Sequence, residues 1–195
     1  FLQKKMILKD GTELTVRELT LNDLENLMKF YTSLPLKDQK YLRIDVTNKE
    51  IVKNRISDAL NKKDIRLVVL HNDQIIATGA LELSHDDWRK NQGELRLIVA
   101  YDYQHKGIGL MLARKLYYLA ADNGVKKLVV KMMKKQKSAR NLVKKLGFSH
   151  EVIIPDYVTD KSEKVQDLVI MTCDMKDFWK ELEHIYQASD WMRCR

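Results

Sequence analysis

Three observations make the sequence predict a mixed α/β fold. Hairpin signals stand near the start, in the middle and near the end of the chain. A strand, a glycine turn, a long apolar helix and a further strand occupy its centre. Only two prolines and seven glycines interrupt 195 residues, of which 45% are hydrophobic and 32% charged, which are globular proportions. That length gives one domain a full core and is short for two ordinary enzymatic domains, so a single domain over residues 1–195 is expected.

In chain order, "KKMILKDGTELTVREL" reads as a hairpin about a two-residue Asp10-Gly11 turn. Thr20 and Asp23 form a cap pair for a helix whose Leu24, Leu27, Met28 and Tyr31 keep a helical period up to Pro35. Residues 36–64 are polar, carry a weaker helix in "NKEIVKNRISDALNKKD", and read as a variable insertion or lid. "IRLVVLHNDQIIATGALEL" is a hairpin about Asn72-Asp73, and "GELRLIVA" is apolar enough for a central strand. Beyond the glycine turn and its helix come a strand, "KKLVVKMM", and a short helix, "SARNLVKKLG", stopped by Gly147. A long hairpin of "EVIIPDYV" and "VQDLVIMTCDM" follows. The amphipathic "KDFWKELEHIYQASDW" closes the chain as a helix, with Phe178, Leu182 and Ile185 facing the domain or a partner.

Composition narrows the function classes. The start, "FLQKKMIL", has too short an apolar run for a signal peptide, and no stretch approaches the ~20 apolar residues of a membrane span. Cys173 and Cys194 show no pairing pattern, which is the usage of a reduced, cytoplasmic protein; the five scattered histidines predict no metal site. The formal charge of +8 is uneven, with nine Lys or Arg and no acid from Val125 to His150. Such a run is either a solvated basic face or the footprint of an anionic partner.

The stretch "YDYQHKGIGLMLARKLYYLAADNG", residues 101–124, decides between these. Its helix begins after Gln104-x-x-Gly107-x-Gly109 with no side chain to cap it. Glycine lets backbone N–H groups approach a bound group closely, and a helix N-terminus presents orphan donors and a positive dipole end, so an anion such as a pyrophosphate provides the missing cap. A Walker loop is absent, and a dinucleotide fingerprint fails because position 112 is Leu112. A tight turn with glycines for packing alone is the other reading of these six residues.

The surroundings go further. From "GELRLIVA" through the glycine turn and its helix to "SARNLVKKLGF", residues 93–148 resemble the core of the GNAT (N-acetyltransferase) superfamily. The resemblance rests on Val99 five residues before the Q/R-x-x-G-x-G/A signature, on Gly124, and on Ala139, Leu142, Leu146, Gly147 and Phe148 in order. With its flanks it spans about residues 12–175, leaving 176–195 as a C-terminal amphipathic helix. The late "PDYV" and "QDLVIM" are similar to a bacterial group of mostly unassigned substrate. The resemblance implies a mostly antiparallel central sheet, splayed at the cofactor-binding strand and flanked by helices. It implies acetyl-CoA as cofactor and a primary amine as acceptor, a small molecule or a protein lysine.

Carried over residue by residue, the resemblance puts the pantetheine arm along Leu97, Ile98 and Val99. The pyrophosphate falls on the turn of Gln104, His105, Lys106, Gly107, Ile108 and Gly109, and the 3′-phosphate near Lys106 or the basic run. Gln136 stands where the family usually has an Asn, beside Ala139. A primary ammonium of pKa ~10.4 needs a base or a desolvating pocket near neutral pH. Glu94 matches the position of that base, with Glu82 in reserve. Val143 replaces the tyrosine that protonates the leaving thiolate in many relatives, and Tyr157 or Tyr103 is the substitute. Glu82, Asp86 and Asp87 suggest a negative acceptor side suited to a cationic amine, and Trp88 a loop over the cleft or a packing anchor. Arg96 is expected to bridge the sheet as an ion pair. The rival function is a non-catalytic acyl-CoA-binding or regulatory module. A nucleic-acid surface is disfavoured because the basic run lacks interleaved aromatics. Trp179 and Trp191 on the last segment suggest a homodimer.

Overall fold

The computed structural model describes residues 3–8, 10–61 and 64–188. The chain gathers into two compact units, Phe1–Leu83 with Arg96–Leu116, and Ser84–Leu95 with Tyr117–Arg195.

In the first unit, β1 (Lys4–Ile7), β2 (Glu13–Glu18), β3 (Asp64–His71) and β4 (Gln74–Leu83) pair antiparallel in sequence order. The β1–β2 loop is wider than the two-residue turn the sequence suggests. Leu8 N–H donates to the Thr12 carbonyl at 2.9 Å and Gly11 N–H to the Leu8 carbonyl at 3.0 Å, so a three-residue loop closes with Gly11 left-handed at φ +83°. The β3–β4 turn is the two-residue kind, with Asn72 and Asp73 both left-handed at φ 49° and 60°.

Helix α1 (Leu24–Ser33) starts behind Asp23, whose carboxylate accepts from the Thr20 N–H and hydroxyl and pairs with Arg17 at 2.6 Å. A single turn, α2 (Leu36–Gln39), leads towards α3 (Lys49–Leu60), capped by the Asn48 side chain accepting from the Glu50 and Ile51 N–H groups. Within the segment read as a variable insertion or lid, one face of α3 joins the core. Val52 and Ile56, one helical turn apart, are buried in one cluster with Leu27 and Phe30 of α1 and Val68, Leu70 and Ile75 of the hairpin.

Strand β5 (Gln92–Val99) and helix α4 (Ile108–Asp122) run through both units. In the first, Gly79 lets β4 and α4 approach closely: a Cβ there would meet Leu112, Leu116 and Leu97 at 3.2–3.3 Å. In the second unit the strand order is β5, β6 (Lys127–Met133), β8 (Val165–Asp174), β7 (His150–Thr159). β5 and β6 are parallel, and the pairs β6–β8 and β8–β7 antiparallel. The parallel pairing covers Gln92 to Glu94 against Lys127 to Val129, whereas β5 runs on to Val99 and β6 to Met133. The mostly antiparallel sheet flanked by helices is therefore the architecture found.

Helices α5 (Lys137–Lys145) and α6 (Met175–Ala188) complete the second unit. Gly147 ends α5 at φ +87°, where a Cβ would stand 3.2 Å from the Asp177 carbonyl. Phe178 and Leu182 of α6 are buried, and Trp179 stacks on Tyr117 at 4.8 Å. One of the two tryptophans behind the homodimer expectation is thus packed within the unit, while Trp191 lies outside the described residues. No described helix is long and apolar enough to cross a membrane.

Candidate functional site

The glycine turn is a bare backbone surface at the head of α4. The exposed His105 takes a left-handed φ of +60°, unfavourable for a residue with a Cβ, and Gly107 takes +79°. Such alternation turns successive N–H groups towards one side, the concave anion-binding arrangement of backbone amides. Gly107 precedes the first helical residue, Ile108, and has no side chain to cap it. Gln104 donates from Nε2 to the Val99 carbonyl at 3.2 Å, tying turn to strand end. Lys106 approaches Asp10 at 3.3 Å and lies 5.5 Å above the Tyr103 ring.

Packing does not account for both glycines. A left-handed φ explains Gly107, but a Cβ at Gly109 would meet only Val99 Cγ2, at an ordinary 3.9 Å. The space beside Gly109 is kept open by nothing within the fold, as a close-lying ligand would require.

The match to known families gives the chemistry against which this turn is read. The model of the Acetyltransferase (GNAT) family matches residues 22–148, which is more than half of the chain. The chain belongs to the GNAT acetyltransferase family. Acetyl transfer from acetyl-CoA is the chemistry this membership implies. Among solved structures, the ribosomal-protein-S5-alanine acetyltransferase of Vibrio fischeri superposes with a TM-score of 0.73 at 13% identity, covering 91% of this chain and 99% of that one. The yncA protein of Salmonella typhimurium, solved with its cofactor acetyl-CoA, gives 0.71 at 18% identity, covering 83% and 94%. The GNAT domain of S. lividans PAT gives 0.69 at 15%, covering 88% and 96%. At these identities the likeness is one of fold. No curated protein matches the chain.

The remaining expected site residues fall as follows. Leu97, Ile98 and Val99 are half-buried at the end of β5. In the second unit, Gln136 stands at the head of α5 with its Oε1 accepting from the Met133 N–H at 2.9 Å, so the longer amide still holds the helix entry; Ala139 lies one turn on. Glu94 is 13% exposed and pairs with Lys131 at 2.8 Å. Tyr157 is 64% exposed on β7, beside Asp156 at φ +50°. Tyr103 places its hydroxyl 2.6 Å from His71 Nδ1.

Two expectations about charge change. Of the nine cations in the basic run, Lys127, Lys131, Lys134, Arg140 and Lys144 pair with carboxylates of the same unit, so much of the run is neutralised. Two of the three acids expected on the acceptor side are answered by arginines. Asp86 pairs with its neighbour Arg89, and Glu82 is ringed by Arg55, Arg66 and Arg96. Burial alone would raise the Glu82 pKa, but Arg96, Arg55 and Arg66 hold it at about 2, below its ordinary 4.5. A carboxylate held that low is a poor proton acceptor near neutral pH. The Arg96 ion pair read from sequence is present, at 3.0 Å from Glu82. Trp88, at 97% exposure, anchors no packing.

Sequence reasoning passed over Arg43, Arg55 and Arg66, which gather in the first unit. A signal existed: Arg66 interrupts "IRLVV" as Arg96 interrupts "ELRLIV", each a charge inside an apolar strand.

Proposed function

We propose that this protein is an active N-acetyltransferase that binds the pyrophosphate of acetyl-CoA on the turn from Gln104 to Gly109 and acetylates a primary amine. The observation that carries the reading is that turn: left-handed His105 and Gly107, an uncapped helix start, and an open Cβ position at Gly109. The amides of His105 to Gly109 would hold the two phosphoryl groups, Lys106 would add charge, and the strand backbone of Leu97 to Val99 would hold the pantetheine arm. When bound, acetyl-CoA supplies the acetyl group as a thioester, whose C–S bond breaks as the bond to nitrogen forms.

The chain's own part is to take a proton from the acceptor. Glu94 is the better placed of the two acids. Its carboxylate is largely buried and pairs with the ammonium of Lys131, whereas Glu82 faces three guanidiniums. Glu94 accepts the ammonium proton directly or through a water, freeing the lone pair. Glu82 is a positioning residue that orders the arginines. A thiol of pKa ~8.5 leaves without an obligatory acid, so Val143 in place of a tyrosine is compatible with turnover, and the exposed Tyr157 is the candidate donor.

The rival is a non-catalytic acyl-CoA sensor, which Val143 favours. The test is the melting temperature with saturating acetyl-CoA, with dephospho-CoA, NADH and ATP as controls, followed by release of the CoA thiol with a panel of amines. Ligand at about a hundred times its dissociation constant stabilises by ~2.7 kcal/mol, a shift of several degrees. Such a shift with amine-dependent thiol release supports the enzyme, and a shift without release supports the sensor. No shift at millimolar cofactor removes both.

A further inference from the structure

The left-handed φ of His105 is a backbone strain that the fold must hold in place, since a residue with a Cβ leaves that region unless its surroundings fix it. On the helix side the anchor is Ile108, the first residue of α4, which is 1% exposed. On the strand side the anchor is a pair with no part in the proton transfers. Tyr103, two residues before His105, sets its hydroxyl 2.6 Å from Nδ1 of His71, and the two rings meet edge to face with centroids 5.7 Å apart. Both side chains are half-buried.

His71 is itself fixed. It is the last residue of β3, paired with Gln74 across the two-residue turn. Asn26 of α1 clasps that turn, its Nδ2 donating to the Asp73 carbonyl at 2.6 Å and its Oδ1 accepting from the Ile75 N–H at 3.2 Å. The other side-chain links beside His105 are weaker or more local. Gln104 reaches only the end of its own strand, and the Lys106–Asp10 pair is exposed, where an ion pair contributes little. Lys106 also lies 5.5 Å above the Tyr103 ring, so the same ring supports the turn's lysine. Nδ1 of a neutral imidazole is a donor in one tautomer and an acceptor in the other, and a phenol hydroxyl answers both, so the bond forms in either.

We propose that the His71–Tyr103 hydrogen bond is the strut that keeps the turn from Gln104 to Gly109 in its anion-binding shape before a ligand arrives, which makes His71 and Tyr103 positioning residues for the cofactor pyrophosphate. That the anion belongs to acetyl-CoA rests on the acetyltransferase reading; that the pair holds the turn does not. Without the bond His105 is free to leave the left-handed region, and a ligand binds only the fraction of molecules whose turn is still formed.

The test uses Tyr103→Phe and His71→Leu, which delete the bond from either side, their double variant, and His71→Asn, whose amide offers the hydroxyl a partner near the Nδ1 position. Two quantities are read. One is the calorimetric dissociation constant of acetyl-CoA; the other is the backbone 15N order parameter of the ligand-free protein from His105 to Gly109, compared with the buried Leu112 and Leu116. Each single deletion is expected to weaken acetyl-CoA about fivefold, the order of one hydrogen bond. It should also lower the order parameter in the turn from about 0.85 towards about 0.6, with Leu112 and Leu116 unchanged. The double variant is expected to match the singles, as one shared bond requires, and His71→Asn to come within about twofold of the parent. Affinity and order that stay at parent values, losses that multiply to about 25-fold in the double variant, order that falls equally at Leu112 and Leu116, or no recovery in His71→Asn overturns the proposal. A parent that binds no acetyl-CoA overturns the acetyltransferase reading instead, and the order of the turn then decides the proposal by itself.

Discussion

The glycine turn and the pocket lined by Arg43, Arg55, Arg66 and Arg96 both lie in the first unit and both gather N–H donors, yet they are built in opposite ways. The turn uses backbone N–H groups within one six-residue stretch, and its only full charge, Lys106, lies at its edge near Asp10. The pocket uses four side chains from the loop before α3, from α3, from β3 and from β5, the last three of them held together by one carboxylate on β4. A backbone site depends on φ angles and on the absence of a Cβ, so its sensitivity is steric and local. A side-chain site depends on charge balance among distant residues, so its sensitivity is electrostatic and extends to the stability of the unit.

The largest expected effect tests the second half of that contrast. Glu82→Gln removes the carboxylate that three guanidiniums share and is expected to cost about 3 kcal/mol in denaturant unfolding, the usual order for leaving buried charges unpaired. Acid should imitate it. The folded pKa of Glu82 lies near 2 against an ordinary 4.5, so its contribution is complete above about pH 4.5 and is lost as the pH falls towards 2. The Gln variant should show a shallower loss over that interval, and an equally steep one would mean that other acids set it.

Glu94→Gln comes next. Turnover is expected to fall about a hundredfold with acetyl-CoA affinity retained, separating base from binding surface. Unchanged turnover would return the base role to solvent or to another residue. Gly107→Ala forces a Cβ onto a φ of +79° and is expected to cost about 1 kcal/mol of stability together with cofactor affinity. Retained affinity would show that the turn tolerates reshaping and is not the cradle. Smallest is Lys106→Gln. It leaves the melting temperature unchanged, because its ion pair is exposed, and weakens acetyl-CoA about threefold, with the difference vanishing at high salt.

The same contrast explains what could be read from the sequence. The turn was legible because its requirement is met within six residues, Gln104 to Gly109, and because the strand before and the helix after declare themselves by periodicity. The Asn72-Asp73 turn and the Gly147 stop were legible for the same local reason. The arginine pocket was not, since Arg66 is marked only as a charge inside an apolar strand, Arg43 and Arg55 lie in a polar stretch, and tertiary packing alone brings the three together. The β1–β2 loop was read one residue too narrow because Asp-Gly suits both two- and three-residue hairpins, and the choice rests on where Leu8 meets Thr12. In the segment 36–64, read as a variable insertion or lid, one face of α3 joined the core because two apolar residues a turn apart, Val52 and Ile56, suffice to anchor a polar helix.

The most direct test of the central claim, that the turn from Gln104 to Gly109 is a cofactor cradle and not a packing device, is the acetyl-CoA dissociation constant of Gly109→Ala beside its melting temperature. The fold has room for that methyl, 3.9 Å from Val99 Cγ2, so the variant should melt no lower than the parent. A ligand lying on the amides does not have that room, so affinity should fall about tenfold or more. An unchanged dissociation constant, or a loss of stability that accounts for the loss of binding, would contradict the claim.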